Sequence, residues 1–338
     1  MECTKLRCFN HEHNEMNKIA VLTSGGDSPG MNAAIRAVVR TATFHELDVY
    51  GVFKGFQGLI DDDFRKLHVR SVAKILGRGG TILKSARCNA FRTKEGRLKA
   101  IENLRKNDID GLVVIGGNGT FSGAIKLYEE HSFPVIGLPG TIDNDLAGTD
   151  NTIGFDTATN TVVEAVDKIR DTADSHNRLF FVEVMGRDNG FIALRVGIAT
   201  GAIAVMTPET GLDANDLIKV LTAGQRSQKS SSIVIVAEGD KSGGAYELAR
   251  QIHEKTDLYD IRITVLGHLQ RGGSPSCYDR VLASRLGLEA VEALKRGELN
   301  CMIGIVNDRL LSTPFEKVIT NKRHSLDDEV RIARILSI

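Results

Sequence analysis

No stretch of this chain approaches the ~20 consecutive apolar residues that a bilayer crossing requires, so membrane insertion is not expected. Neither sign of charge is in surplus: lysine plus arginine and aspartate plus glutamate number 43 each. Without a global basic field nothing draws nucleic acid, and any anion site must be a local concentration of arginines. Cysteine is sparse: the five residues, at positions 3, 8, 88, 277 and 301, show no CxxC spacing for zinc or redox work. An odd, scattered set fits a reducing cytoplasm, the expected compartment. Residues 1–17 carry three glutamates and no apolar core of a secretory signal. A mobile extension is expected there, with His11 and His13 solvated rather than metal-bound. The first apolar run is not followed by GxGxxG, which argues against a dinucleotide-dependent dehydrogenase. Internal repeats and low-complexity linkers are also missing, and only six prolines interrupt the pattern.

What is present is material for a large core. At 338 residues, 42% of them hydrophobic, the chain exceeds a typical single core, and two lobes are expected. Runs rich in valine and isoleucine recur at 18–23, 48–53, 110–115, 134–138, 179–184, 232–236, 261–265 and 302–306, with helical patterns between them. Over 157–173, Val162, Ala165, Val166 and Ile169 fall on one helical face. This alternation predicts an α/β architecture of two Rossmann-like lobes whose mainly parallel sheets are covered by helices.

Three strand ends stand out. IAVLTSGGDSPGMN at 19–32 and LVVIGGNGT at 112–120 each end in paired glycines followed by helix-like sequence. Such glycines let the backbone approach phosphate oxygens, and the next helix offers open amides and the positive end of its dipole, so a polyphosphorylated ligand is predicted. The third, PVIGLPGTIDND at 134–145, opens into a Pro-Gly turn that leaves Asp143 and Asp145 at its mouth. Ligands in open α/β sheets collect beyond the carboxyl ends of strands. A lone aspartate in a turn is usually a cap; two carboxylates two positions apart at such a strand end favour function.

These segments, with FVEVMGRDNG at 181–190 and VLGHLQRGGSP at 265–275, closely resemble ATP-dependent 6-phosphofructokinases of the bacterial single-unit type, from about Lys18 to about Asp308. The resemblance implies a larger nucleotide-binding lobe of residues 18–153 plus 266–316, a smaller sugar-phosphate lobe of 154–265 plus 317–338, and an active site in the cleft between them. It implies phosphorylation of fructose 6-phosphate at its 1-hydroxyl, with ATP as co-substrate, Mg2+ as cofactor, and a homotetramer whose active sites are shared between subunits. By this likeness Asp143 is the base, Arg87 and Arg187 assist transfer, and Thr141 meets the acceptor sugar. Gly26, Arg87, Cys88, Gly117, Asn118, Gly119 and Thr120 would line ATP. Arg178, Arg262, His268 and Arg271 would hold the 6-phosphate, Arg178 and Arg262 from a neighbouring subunit; Met185, Gly186, Arg187 and Glu238 would hold the sugar ring, and Asp145 would arrange the metal or Arg187. Taken alone, Arg87, Arg178 and Arg262 would read as surface charges, whereas His268 and Arg271 lie in a Gly-flanked turn directly after an apolar run. Cys88, with no histidine near it in sequence, is a pocket neighbour rather than a nucleophile.

The likeness breaks at two places. Asn118 stands where the family usually has a metal-binding aspartate, which predicts a weaker hold on Mg2+. In the effector pocket Arg36, Arg40, Arg170 and Lys229 match, but Val69, Ile203, Ser227 and Ser231 replace charged or metal-binding residues, which predicts weak or altered allostery. Gly119 and Gly140 leave space where pyrophosphate-dependent relatives carry an acidic residue and a lysine, favouring ATP as donor. A pyrophosphate-dependent enzyme and a catalytically weak, sugar-phosphate-binding regulatory subunit are the alternatives; an NAD kinase would share the GGDGT-type loop but not PGTIDND or GHLQRGG.

Overall fold

The computed structural model describes residues 16–176, 178–226, 232–256, 258–321 and 325–337. The extension through residue 15 with His11 and His13, and likewise Ser227, Lys229 and Ser231, lie outside the described residues. Met16 already packs against the core and the Asn17 amide donates to Asp110.

Among the described residues eleven strands are interspersed with helices: β1 Lys18–Thr23, β2 Asp48–Val52, β3 Phe64–Leu67, β4 Gly111–Gly116, β5 Val135–Pro139, β6 Leu179–Val184, β7 Ala204–Met206, β8 Ser232–Ala237, β9 Ile261–Val265, β10 Cys301–Val306 and β11 Arg309–Pro314. They form a seven-stranded sheet in the order β11-β10-β5-β4-β1-β2-β3 and a four-stranded sheet in the order β7-β8-β6-β9. All neighbours run parallel except β2 with β3 and β10 with β11.

Alternate side chains of each strand supply opposite cores. Ile19 and Val21 join the cluster beneath the helices Met31–Phe44 and Cys277–Lys295, while Ala20 and Leu22 join the one containing Phe121 and Phe315. In the smaller sheet Phe180, Val182 and Val184 face one cluster, Leu179 and Phe181 the other. Burial on both faces is what a parallel sheet between helix layers requires, and it makes the sequence signal of these strands strong.

Three strands, β3, β7 and β11, were not expected from the sequence. Each lies at the edge of its sheet. An edge strand is paired on one side only and tolerates charge and proline, so FRKL and RLLSTP carry little apolar signal, and AVM is too short for a pattern.

In the larger sheet the chain steps from β1 outward to β2 and β3, then resumes on the other side with β4, β5 and β10. The reversal falls between β1 and β4, and a crevice opens there beyond the carboxyl ends. The two sheets are clasped by helix starts. Asp279, in the helix Cys277–Lys295 on the larger sheet, accepts the amides of Gly154 and Thr157, both at 2.8 Å, at the start of the helix Phe155–His176 on the smaller one. In return Thr157 Oγ1 accepts the Ser276 amide at 2.9 Å, and Ser276 Oγ donates to Asp156. Each helix thus has its exposed amides satisfied partly by the other. Burial pushes the Asp279 carboxyl up to about 6.

Candidate functional site

A cavity of about 1410 Å3 occupies the crevice. From the loop after β1 it takes Gly26; from the junction after β4 and the helix Asn118–His131 that follows, Gly117, Asn118, Gly119 and Thr120; from the turn after β5, Thr141 and Asp145. Arg87 and Cys88 line it from the segment after β3, Arg187 from the end of β6, His268 and Arg271 from the tight turn Gly267–Arg271 after β9. Residues expected from distant parts of the sequence therefore meet in one space. Its floor is the amino end of a helix, whose amides and dipole favour anions.

Asp143 sits just behind this lining and is 1% exposed. Its Oδ2 lies 3.2 Å from Arg187 Nε, and its Oδ1 is buried without a hydrogen-bond partner. Burial raises its proton affinity above that of an ordinary aspartate; the Arg187 charge opposes this, and the Asp145 charge adds to it. The surrounding turn is fixed by its own polar groups. The Asp143 amide donates to Thr141 Oγ1 at 3.2 Å, and Thr152 returns its hydroxyl to the Thr141 carbonyl at 2.6 Å and its amide to Asn144 Oδ1 at 2.9 Å. Asn144 adopts φ +53°, a conformation asparagine tolerates better than most residues. Beside it Asn118 Nδ2 donates to Asp145 Oδ2 at 2.9 Å.

Arg187 is held from the other sheet. Its backbone has φ +53°, and Glu238 Oε1 accepts the amides of both Gly186, at 3.2 Å, and Arg187, at 2.8 Å. The Met185 amide donates to the fully buried Gln270 at 3.3 Å, which ties the β6 exit to the Gly267–Arg271 turn. Arg271 reaches across the cleft to the Asp27 carbonyl at 3.1 Å. At Gly26 an added Cβ would meet Arg271 Nη1 at 2.3 Å, so only glycine lets that guanidinium lie on the loop. Gly119 has nothing within 4 Å of a Cβ position, whereas at Gly140 a Cβ would lie 2.9 Å from Ile115 and 3.1 Å from Met31.

Of the expected site residues, Asp143, Arg178, Met185, Gly186, Glu238 and Arg262 are not in the lining, and Arg178 and Arg262 are engaged elsewhere. Arg178 and Arg262 each contact Asp260 Oδ2 at 3.0 Å, Arg262 from the edge strand β9. Met185 and Glu238 stand behind the wall rather than in it. Of the effector residues, Arg36 and Arg40 are one turn apart, and burial together with the neighbouring Arg40 charge loosens the Arg36 proton. Arg170 donates to the Thr200 carbonyl, Ile203 is buried in the core of the smaller sheet, and Val69 is exposed.

Among the described residues no group of three or more His, Cys, Asp and Glu side chains forms a protein-only metal site. Asp145, the unpartnered Oδ1 of Asp143 and the side-chain Oδ1 of Asn118, whose Nδ2 is turned to Asp145, are oxygens of the kind Mg2+ takes when phosphates and water supply most ligands. Residues not anticipated from sequence include Asn144, Gln270, Asp279 and the stacked pair Phe56 and Phe91, whose rings lie 4.1 Å apart and line the cavity. Only Asn144, between two aspartates in a turn, carried a usable signal.

The family model for phosphofructokinase matches residues 18–294. The chain is 55% identical over 327 residues to an ATP-dependent 6-phosphofructokinase of Staphylococcus carnosus, covering 96% of this chain and 100% of that protein. It is 53% identical over 322 residues to one from Cytophaga hutchinsonii, covering 95% and 98%. A crystal structure of Pichia pastoris phosphofructokinase in the T-state superposes with a TM-score of 0.84 at 37% identity over 94% of this chain, which spans 37% of that longer chain.

Proposed function

Because the chain belongs to the phosphofructokinase family, we propose that its cavity carries a phosphoryl group from ATP to a sugar alcohol with Asp143 as the base. The reaction is the ATP-dependent phosphorylation of fructose 6-phosphate to fructose 1,6-bisphosphate and ADP, a step of glycolysis. One observation supports the residue assignment above others: a buried carboxylate with raised proton affinity stands beside an arginine, behind the mouth of a glycine-lined helix start.

In this reading ATP lies along Gly26, Cys88, Gly117, Asn118, Gly119 and Thr120, its phosphates against the amides that open the helix Asn118–His131. Asp143 takes the proton of the 1-hydroxyl as that oxygen bonds to the γ-phosphorus and the bond to the bridging oxygen of ADP breaks. Burial makes the carboxylate a stronger base, and Arg187 keeps it ionised and oriented. Thr141 positions the acceptor hydroxyl. Arg87 and Arg187 face charge that spreads over the moving phosphoryl oxygens, where positioned guanidinium groups act most strongly. When bound, Mg2+ neutralises phosphate charge, and Asp145 and Asn118 are the residues to hold it.

The sugar phosphate would occupy the opposite wall, with His268 and Arg271 at the 6-phosphate and Met185, Gly186 and Glu238 behind the ring. Arg178 and Arg262, outside their own cavity, would complete the pocket of a neighbouring subunit in a homotetramer. Residues 18–153 with 266–316 and 154–265 with 317–338 are the two proposed lobes. Among the described residues no helix is long and apolar enough to cross a membrane, and a cytoplasmic enzyme is proposed. The poor match of the effector residues supports weak or altered allostery.

The alternative donor is pyrophosphate. Open space at Gly119 supports ATP, since a side chain there would project where a larger donor passes. Comparing ATP with pyrophosphate, with fructose 6-phosphate as acceptor and product phosphorylation followed directly, tests the reading. Turnover with ATP alone is expected; turnover with pyrophosphate alone would reverse the donor assignment.

A further inference from the structure

Asn118 opens the helix at the cavity floor, and its side chain is spent on a neighbour: Nδ2 donates to Asp145 Oδ2 at 2.9 Å. The orientation follows from chemistry, because only the amide nitrogen can face a carboxylate oxygen. A carboxylate in the same place would set two anionic oxygens at hydrogen-bond distance, an arrangement that requires a cation or a shared proton between them. The amide supplies an N–H where such a cation would stand. Asp143, the other acid of the turn, is engaged by Arg187 at 3.2 Å. Both acids of the TIDND turn are therefore oriented by nitrogen donors of this chain.

We infer that the Asn118 amide takes the place of a bridging cation at Asp145, so that the cavity is assembled without a divalent ion and accepts the ion only together with a nucleotide's phosphates. The inference rests on the reading of the cavity as the ATP site and concerns how that site acquires its metal. Mg2+ and Mn2+ are held by the charge and number of their oxygen ligands. Without nucleotide, the ion meets one carboxylate already bonded to an amide and another paired with a guanidinium. With nucleotide, the phosphate oxygens supply the missing charge. Asn118→Asp would reverse this by creating a charge pair that calls for an ion before any nucleotide arrives.

The test is binding of Mn2+ alone to nucleotide-free protein, read by the enhanced water proton relaxation of protein-bound Mn2+. It compares the parent with Asn118→Asp and is repeated with a non-hydrolysable ATP analogue. Asn118→Asp is expected to bind Mn2+ about tenfold or more tightly than the parent when nucleotide is absent, and the gap is expected to narrow with the analogue. Mn2+ alone should also raise the melting midpoint of Asn118→Asp while leaving that of the parent unchanged. Equal Mn2+ affinity of the two nucleotide-free proteins overturns the inference and leaves the ATP site intact. Failure of either protein to take up Mn2+ with the analogue overturns both. If Asn118→Asp does not fold, the parent decides: binding of Mn2+ as tightly without the analogue as with it overturns the inference, and uptake only with the analogue supports it.

Discussion

On the side of the seven-stranded sheet the cavity is buried and tied down. Asp143 is 1% exposed, the turn around it is pinned by Thr141, Asn144 and Thr152, and Asn118 already holds Asp145. On the side of the four-stranded sheet the corresponding groups are open. The Arg187 side chain is 57% exposed, and Arg178 and Arg262 are engaged with Asp260 away from the cavity. The contrast matches the two ligands proposed. A triphosphate is gripped by backbone, which a single chain can preorganise; a sugar phosphate is gripped by long arginines, which a second chain can contribute. Catalysis by positioned charge gains most where groups need not move, and the proposed base stands on the finished side.

The largest break in this comparison is expected at that base. Asp143→Asn should lower kcat by about 10²–10⁴-fold, the usual worth of a general base, while ATP binding by calorimetry stays close to that of the parent. On the unfinished side, Arg262→Ala should raise KM for fructose 6-phosphate by roughly tenfold or more, the scale of a charge-assisted hydrogen bond, with little change in KM for ATP. Mixed oligomers of Asp143→Asn and Arg262→Ala should then regain intact sites that neither parent variant has. Steady-state rates of refolded mixtures check this, and absence of recovery would assign Arg262 to its own subunit.

A smaller effect is expected at the joint between the halves. Asp279→Asn offers fewer acceptor positions to the amides of Gly154 and Thr157, and should reduce stability by about 1–3 kcal/mol, as for buried donors left unmatched. The folded protein holds the Asp279 proton up to about 6, whereas the ordinary value is 3.8. Its contribution is full below the lower value and is lost as pH rises through the upper one. Chemical denaturation across that window should therefore give a flatter pH dependence for the variant. Beyond any loss of rate, Arg187→Met should change the shape of the pH profile: Arg187 lowers the proton affinity of Asp143, so the acid limb of kcat/KM should move to higher pH. The parent limb should itself lie above the ordinary aspartate range, because activity falls as the raised Asp143 carboxyl gains its proton.

The sequence was most readable where physics constrains it twice. Central strands such as β1 and β4 are apolar on both faces and end in paired glycines, so their position was legible together with the phosphate contact proposed for them. The edge strands β3, β7 and β11 lacked that double burial and were missed. Within the site, Asp143 was recognisable from its turn, but its burial and its contact with Arg187 were not, because they arise where β5 and β6 meet from different sheets. Gln270 and Asp279 are invisible for the same reason: their partners lie 85 and more than 100 positions away in sequence.

That separation has a consequence for biosynthesis. Thr157 and Asp279 are 122 positions apart, so when the ribosome has delivered the start of the helix Phe155–His176, the carboxylate that completes its first turn has not yet been made. The amino-terminal strands can pair early, but neither the helix start nor the strands β10 and β11 can settle until the last quarter of the polypeptide emerges. Long-range closure of this kind slows folding, and it leaves the nascent chain waiting, half-assembled, for a residue near its end.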